Sequence, residues 1–332
     1  MLRDLLRLVS RYLLLALGVV LVNFFLPRLL PGDPLDFSSG DGLDAAVPLT
    51  APARAELEAY YHLDDPILTQ LRSYLTDLLT GDLGLSISRS VPVRDLILAR
   101  LPWTLSLLLV SLLLSAAIGT AIGMAAGWTP GRHRDRLLTS ASGMLAAIPE
   151  FLIAIGLLLA GAVGLAWFPL FGGETVFTDA GDGASGPARR ALDIAWHLTL
   201  PAATLVLAGV SAFVLVTRDA TAGLRNEPWL IAARAKGLGE RQIAMGHALP
   251  NIAPPLITFF GLRLGGVLGG ALVVERVFSV PGLGLLGFQA IGARDYPVLQ
   301  ALFLLSSLGV LLVAFLVELS YLHLDPARRS RR

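Results

Sequence analysis

The sequence predicts an all-α membrane protein of six transmembrane helices with an extended outer segment after the first, and three observations carry that expectation. Hydrophobic residues fill 55% of the 332 positions and charged residues only 15%, against roughly 25% charged in a soluble domain. Apolar runs of about the length that crosses a bilayer, ~20 residues, recur along the chain. Arginines concentrate in alternate connections between those runs, as the positive-inside rule requires. The net charge of +1, with basic residues scattered in short clusters, argues against a nucleic-acid binder. The absence of cysteine excludes a disulfide framework, a thiolate metal site and a cysteine nucleophile.

The first apolar run, near 10–30, follows Arg3, Arg7 and Arg11. That start is shared with signal peptides, but the run is long enough to span and lacks a small-residue cleavage site. Residues 1–31 are therefore expected to be a retained transmembrane helix. Residues 32–100 are polar and rich in Asp and Glu, and are expected to fold outside. A Gly, Ser and Asp-rich loop opens this segment. Two short helices follow, one around Leu57, Tyr60 and Tyr61, the other carrying Ile67, Leu71, Tyr74 and Leu78 at helical spacing. Gly81-Asp82-Leu83-Gly84 then makes a turn. A structural cap and a docking surface for an external partner explain this segment equally well.

Further runs lie near 101–127, 137–166, 196–217, 253–275 and 298–322. Arg132, Arg134 and Arg136 separate the second and third, and Arg218, Arg225, Arg234, Lys236 and Arg241 separate the fourth and fifth. Arg328, Arg329, Arg331 and Arg332 close a basic tail, 323–332. All these groups and both termini are expected in the cytoplasm, with Arg28, Arg189, Arg190 and Arg294 as outnumbered exceptions.

The spans hold features that an inert bundle does not need. Pro149, followed by Glu150, and Pro201 sit inside the third and fourth runs and permit bends. Arg263 lies midway along the fifth, where a charge faces a cavity, meets a partner or snorkels. Gly261, Gly265 and Gly269 recur every fourth residue and let another helix approach, in the same bundle or in another subunit. After the fifth run, Pro281-Gly282-Leu283-Gly284 forces a turn in an apolar segment, which reads as re-entrant or interfacial, with a short helix over 285–293.

The longest polar interruption, Arg218 to Pro255, keeps a helix pattern and holds the chain's only lysine, Lys236. Ile231, Ala232, Ala235 and Leu238 recur at helical spacing, Arg234, Lys236, Glu240 and Arg241 lie between them, and Gly237 and Gly239 offer a break. This is a short amphipathic surface helix whose apolar face needs lipid headgroups or another protein.

The search for chemistry is mostly negative. A P-loop ends in Gly-Lys-Ser or Gly-Lys-Thr, yet the one lysine lies in Ala235-Lys236-Gly237. His62, His133, His197, His247 and His323 have no metal-ligand spacing. Ser211 misses the second glycine of a nucleophile elbow. Acids within the spans, chiefly Glu150 and Glu318, form no chain of proton carriers. The residues thus describe a transport subunit powered by something else.

Here the chain resembles a known family. Ala232-Ala233, then Gly237, then after nine residues His247-Ala248-Leu249-Pro250, is similar to the EAA loop of ABC importer permeases. Its general pattern is Glu-Ala-Ala, three residues, Gly, nine residues, Ile-x-Leu-Pro; here Ile231 stands for Glu and His247 for Ile. The departure at Ile231 puts in doubt an ion pair from a glutamate there. The wording resembles the dipeptide, oligopeptide and nickel branch. Its B-type subunits are similar in LPGDP (30–34), LDDPILTQ (63–70), GDLGLS (81–86), HLTLPA (197–202), VFSVPGLG (277–284) and RDYPV (294–298). The resemblance implies type I importer architecture, with a five-helix core over 101–322 and a coupling loop over 218–252. It implies a second, similar permease, two cytoplasmic ATP-binding subunits, a periplasmic or lipid-anchored binding protein and surrounding lipid. On that reading Ile231, Ala232, Ala233, Arg234, Ala235, Lys236, Gly237, Leu238, Leu249 and Pro250 dock an ATPase. Gly261, Arg263, Gly265 and Gly269 would lie along the pathway. The chain itself is expected to bind no cofactor and to catalyse nothing, ATP and Mg belonging to the partners. Di- and oligopeptides, nickel or other chelates, glutathione and opines all fit as substrates. A self-contained ion-coupled transporter, using Glu150 and Arg263, and an intramembrane enzyme built on Ser211 or a histidine are the readings from other classes.

Overall fold

The computed structural model describes residues 2–29, 65–175, 186–265 and 271–324. Among them the chain runs α1 (Leu2–Leu29), α2 (Ile67–Thr80), α3 (Val93–Gly127), α4 (His133–Ala146) and α5 (Glu150–Leu157), which continues into a π-helical turn, Leu158–Gly164. Then follow α6 (Pro187–Gly223), α7 (Pro228–Ala235), α8 (Glu240–Ile243), a second π-helical turn (Ala244–Ala248), α9 (Leu249–Gly265), α10 (Leu272–Val277), α11 (Leu283–Gly292) and α12 (Tyr296–Leu324). The fold class is all-α, as the sequence predicts.

Among the described residues, Leu5–Phe25, Val93–Gly127, Pro187–Asn226 and Tyr296–Ser320 are long and apolar enough to cross a membrane. His133–Ala146 and Glu150–Gly164 form a pair bent by 91° that can count as one further span. Pro149 sits at this break, directly before α5, where its ring and missing N–H cost least. The expected span 253–275 corresponds to α9, of which 17 residues are described. Residues 266–270, Gly269 among them, lie outside the described residues, as do the helix expected around Leu57 and the motif at 30–34.

The chain divides into two compact units. In the first, Met1–Pro102 with Leu286–Leu311, Asn23 is a buried polar node. Its amide N–H donates to the Gln300 carbonyl at 3.1 Å, Gln300 donates to its backbone carbonyl at 3.3 Å, and Tyr74 Oη donates to its side-chain oxygen at 3.1 Å. Three helices far apart in sequence, α1, α2 and α12, thereby share one amide. Asn23→Ala is expected to destabilise the protein by about 1–3 kcal/mol, read as a lowered unfolding temperature in detergent. An unchanged temperature would show that the node contributes nothing.

Asp295, 1% exposed, joins two of the sequence motifs. It accepts hydrogen bonds from the Ser86 and Ser88 hydroxyls and from the Ile87 and Ser88 N–H groups. A buried carboxylate needs such donors.

In the second unit, Trp103–Leu285 with Leu312–Arg332, α3 lies against α6 through a stripe of small residues. A Cβ at Gly119 would collide with Phe213, one at Gly123 would lie 2.6 Å from both Thr217 Cβ and the Val214 carbonyl, and one at Gly127 would strike the Arg218 carbonyl. Ser111 and Ser115 continue the stripe and return their hydroxyls to carbonyls four residues back, both at 2.7 Å. Such hydroxyls are satisfied within their own helix and leave the backbones free to approach. Gly261 meets Val317 of α12 in the same way, so this glycine packs within the chain.

Glu275, fully buried, organises the Pro281-Gly282-Leu283-Gly284 turn. Thr104 Oγ1 donates to it at 2.6 Å and the Leu285 N–H at 2.9 Å, while Thr104 Oγ1 also accepts the Leu283 N–H at 2.7 Å. A side chain at Gly282 would collide with this carboxylate, which explains why glycine is needed there. The short helix expected over 285–293 begins two residues earlier, at Leu283.

Candidate coupling site

The connection between α6 and α9 folds as a small module. Pro228 occupies the first position of α7, where its missing N–H is one of the helix's orphan donors anyway. Beyond Ala235 the chain reverses at Gly237, whose φ of 78° is a conformation that favours glycine. The Leu238 N–H reaches back to the Ala233 carbonyl at 3.3 Å. Leu230, Ala233 and Ile243 form a buried core, with Trp128, Trp229 and Leu238 packed on it. Trp229 also meets His247 of the second π-helical turn, ring centroids 6.4 Å apart.

The helix is therefore Pro228–Ala235, and its inner face is set by Leu230 and Ala233. Ile231, Ala232 and Ala235, expected on the apolar face, are exposed, Ile231 at 61%. Lys236 and Gly237 are exposed beside them, and Leu238 is half-buried. Leu249 and Pro250 open α9, half-buried and exposed respectively. Gly261 and Gly265 are buried; Arg263 is exposed, its guanidinium 5.3 Å from the Phe259 ring centroid.

Glu240 joins the module to α3. It accepts Arg234 Nε at 2.9 Å and Arg234 Nη2 at 3.2 Å, and the Trp128 indole N–H at 2.7 Å. The Arg234 guanidinium first, then the Trp128 N–H, hold the Glu240 carboxyl below the usual glutamate range. A lowered value means that the contribution is whole above the ordinary range and is lost as pH falls through the lowered one. With side chains 44% and 56% exposed, the ion pair itself contributes about 0–1 kcal/mol. Glu240 thus supplies the module's acidic partner, which the sequence lacks at Ile231.

A second anchor lies beside it. Asp135 of α4 accepts Arg218 Nε at 2.9 Å and Nη2 at 2.7 Å, the Gly131 N–H at 2.7 Å and the Thr139 hydroxyl at 3.2 Å. Asp135 and Trp128 have no role assigned from the sequence, because Arg218 and Glu240, which they meet, lie 83 and 112 residues away. One signal was available: Trp128 directly follows an apolar span and precedes a Pro-Gly turn. Among the described residues no cluster of His, Cys, Asp or Glu could hold a metal ion.

Comparison with known proteins is consistent with this arrangement. Residues 119–330 match the family described as "Binding-protein-dependent transport system inner membrane component". The chain is 32% identical over 311 residues to "Oligopeptide transport system permease protein AppB" of Bacillus subtilis (strain 168), covering 93% of this chain and 94% of that one. It is 35% identical over 314 residues to "Glutathione transport system permease protein GsiC" of Salmonella paratyphi A, covering 94% of each. It is 32% identical over 325 residues to "Probable peptide ABC transporter permease protein y4tP" of Sinorhizobium fredii, covering 97% of each. The match takes in the small-residue stripe from Gly119, the coupling module and α12, and with it the chain belongs to the binding-protein-dependent transport inner membrane components, as a multi-pass permease subunit of the dipeptide and oligopeptide ABC importer family.

Proposed function

We propose that this chain forms half of a peptide translocation pathway, is closed by a second, similar permease, and is driven by two ATP-binding subunits that hold the ATP and Mg. The observation that carries this reading is the coupling module. It folds on its own core, yet presents Ile231, Ala232, Ala235 and Lys236 outward from α7. Exposed apolar residues on a helix that is already packed on its other face offer a docking surface for a groove. The arginine distribution supports a cytoplasmic position for 218–252 and for both termini. A periplasmic or lipid-anchored binding protein delivers substrate, and the names of the relatives favour peptides, glutathione included, over nickel chelates. Gly261, Arg263, Gly265 and Gly269 are proposed as the pathway face of the fifth span, with Gly261 also packing on α12.

Purification of the tagged chain from detergent extract is expected to recover ATP-binding subunits and a second permease. Recovery of the chain alone, under conditions that keep a known importer intact, would sink the reading. Uptake by vesicles that contain this chain and an ion gradient but no ATPase would establish the ion-coupled alternative instead.

A further inference from the structure

The chain enters the coupling module directly from α6 through Leu224–Asn226, and two further connections reach it, which differ in stiffness. One is the direct continuation through α8 and the π-helical turn into α9, which carries Pro250, Pro254 and Pro255 near its start. Prolines there remove backbone donors and so weaken the helix ladder, which makes this route a poor strut. The other begins at Trp128. Its backbone N–H bonds the Met124 carbonyl at 2.9 Å, so the residue continues the last turn of α3. Its ring packs on the Leu230, Ala233 and Ile243 core, and its indole N–H donates to Glu240. The turn that follows has Gly131 in the left-handed region at φ 80°. The Gly131 N–H donates to Asp135, which also holds Arg218 at the end of α6. The segment 128–135 is therefore fixed to the module on one side and to α6 on the other. Close-packed interiors transmit displacement, whereas an exposed ion pair does not.

We propose that Trp128 is a positioning residue that carries movement of the coupling loop into α3, making 128–135 a further coupling element beside the direct links to α6 and α9. The α3 and α6 helices touch backbone to side chain along their glycine stripe. A push at Trp128 then moves the pair together. This rests on the permease reading above and adds the route by which the loop acts.

The natural chain has no cysteine, so two introduced thiols are its only sites for spin labels. Leu113→Cys on α3 and Leu312→Cys on α12, both exposed, are labelled in the complex with its ATP-binding subunits. Their separation is compared between the nucleotide-free state and the ATP–vanadate-trapped state. With Trp128 present a nucleotide-dependent shift is expected. Trp128→Ala is expected to abolish it while the ATP-binding subunits stay bound and hydrolyse ATP. Trp128→Phe, which keeps the packing and loses the N–H, retains it. Trp128→Leu replaces Trp128→Ala if the latter does not fold, with loss of the shift again expected. A full shift in the small-residue variants, or no shift in the chain that keeps Trp128, overturns the proposal. Failure of ATP-binding subunits to co-purify with the unsubstituted chain counts against the permease reading itself.

Discussion

Replacing Arg218 by alanine is expected to cost about 3–5 kcal/mol of stability, the range for stranding a buried charge without its partner. Asp135 is 2% exposed, and Arg218 supplies two of its donors and, among the described residues, the one cation paired with it. The Gly131 N–H and the Thr139 hydroxyl that remain are neutral and cannot balance a carboxylate cut off from water. Arg218 itself is less dependent on the pair. Its side chain is 28% exposed and also donates to the largely solvent-exposed Asp219 at 2.9 Å. Asp135→Asn is therefore expected to be the milder single change. Replacing both partners by leucine removes the two charges together and is expected to cost less than Arg218→Ala alone, since a buried pair exchanged for apolar groups is often near neutral. Chemical unfolding in mixed micelles measures the order. A loss below about 1 kcal/mol for Arg218→Ala would place the pair among ordinary surface bridges and remove the anchor from the account of the coupling site.

Four of the expected spans, and a fifth as the bent pair, were legible because hydropathy reports the bilayer directly, and the break at Pro149 because proline acts locally. The coupling loop was legible in its spacing, but its inner face was not. Helical periodicity fits Ile231, Ala232 and Ala235 as well as Leu230 and Ala233. What selects between them is Trp128 together with Ile243, and neither lies on the helix. The buried carboxylates were missed for the same reason. Asp135 pairs with Arg218 across 83 residues, Glu275 with Thr104 across 171 and Asp295 with Ser86 across 209. Each has an unremarkable acidic neighbourhood in the sequence and acquires its partner only when the helices assemble. Glu150 and Glu318 stood out because they interrupt apolar runs, whereas Glu275 lies between Val274 and Arg276 beside a motif and reads as its edge. The stripe Ser111, Ser115, Gly119, Gly123 and Gly127 was available as a strict four-residue repeat. It was hidden by its length of apolar surroundings, which identify a span without saying which side of it is packed.

That stripe carries the second large effect. Gly123→Leu is expected to destabilise the protein by about 3 kcal/mol or more, at the upper end of overpacking costs, and to stop transport. Even a Cβ at Gly123 would lie 2.6 Å from the Val214 carbonyl oxygen and 3.1 Å from the Arg218 N. Backbone atoms held in a helix cannot turn aside as a flexible side chain can, so α3 and α6 must separate. Separation breaks the packing of Thr217 on Gly123 and of Thr221 on Gly127, and loosens Gly119 beyond them. Lipid gives no apolar reward for the larger side chain, because contact between helices in a bilayer rests on close packing. Gly143→Leu on α4 is the matched control. A Cβ there meets nothing within 4 Å, and leucine is the better helix former by about 0.8 kcal/mol, so this variant is expected to unfold at or above the unsubstituted temperature. Both variants are compared by thermal unfolding in detergent and by uptake in reconstituted vesicles. Equal behaviour of the two would mean that α3 and α6 do not need their close approach. A loss confined to Gly123→Leu ties stability and transport to the same pair of helices that Trp128 and Arg218 join to the coupling loop.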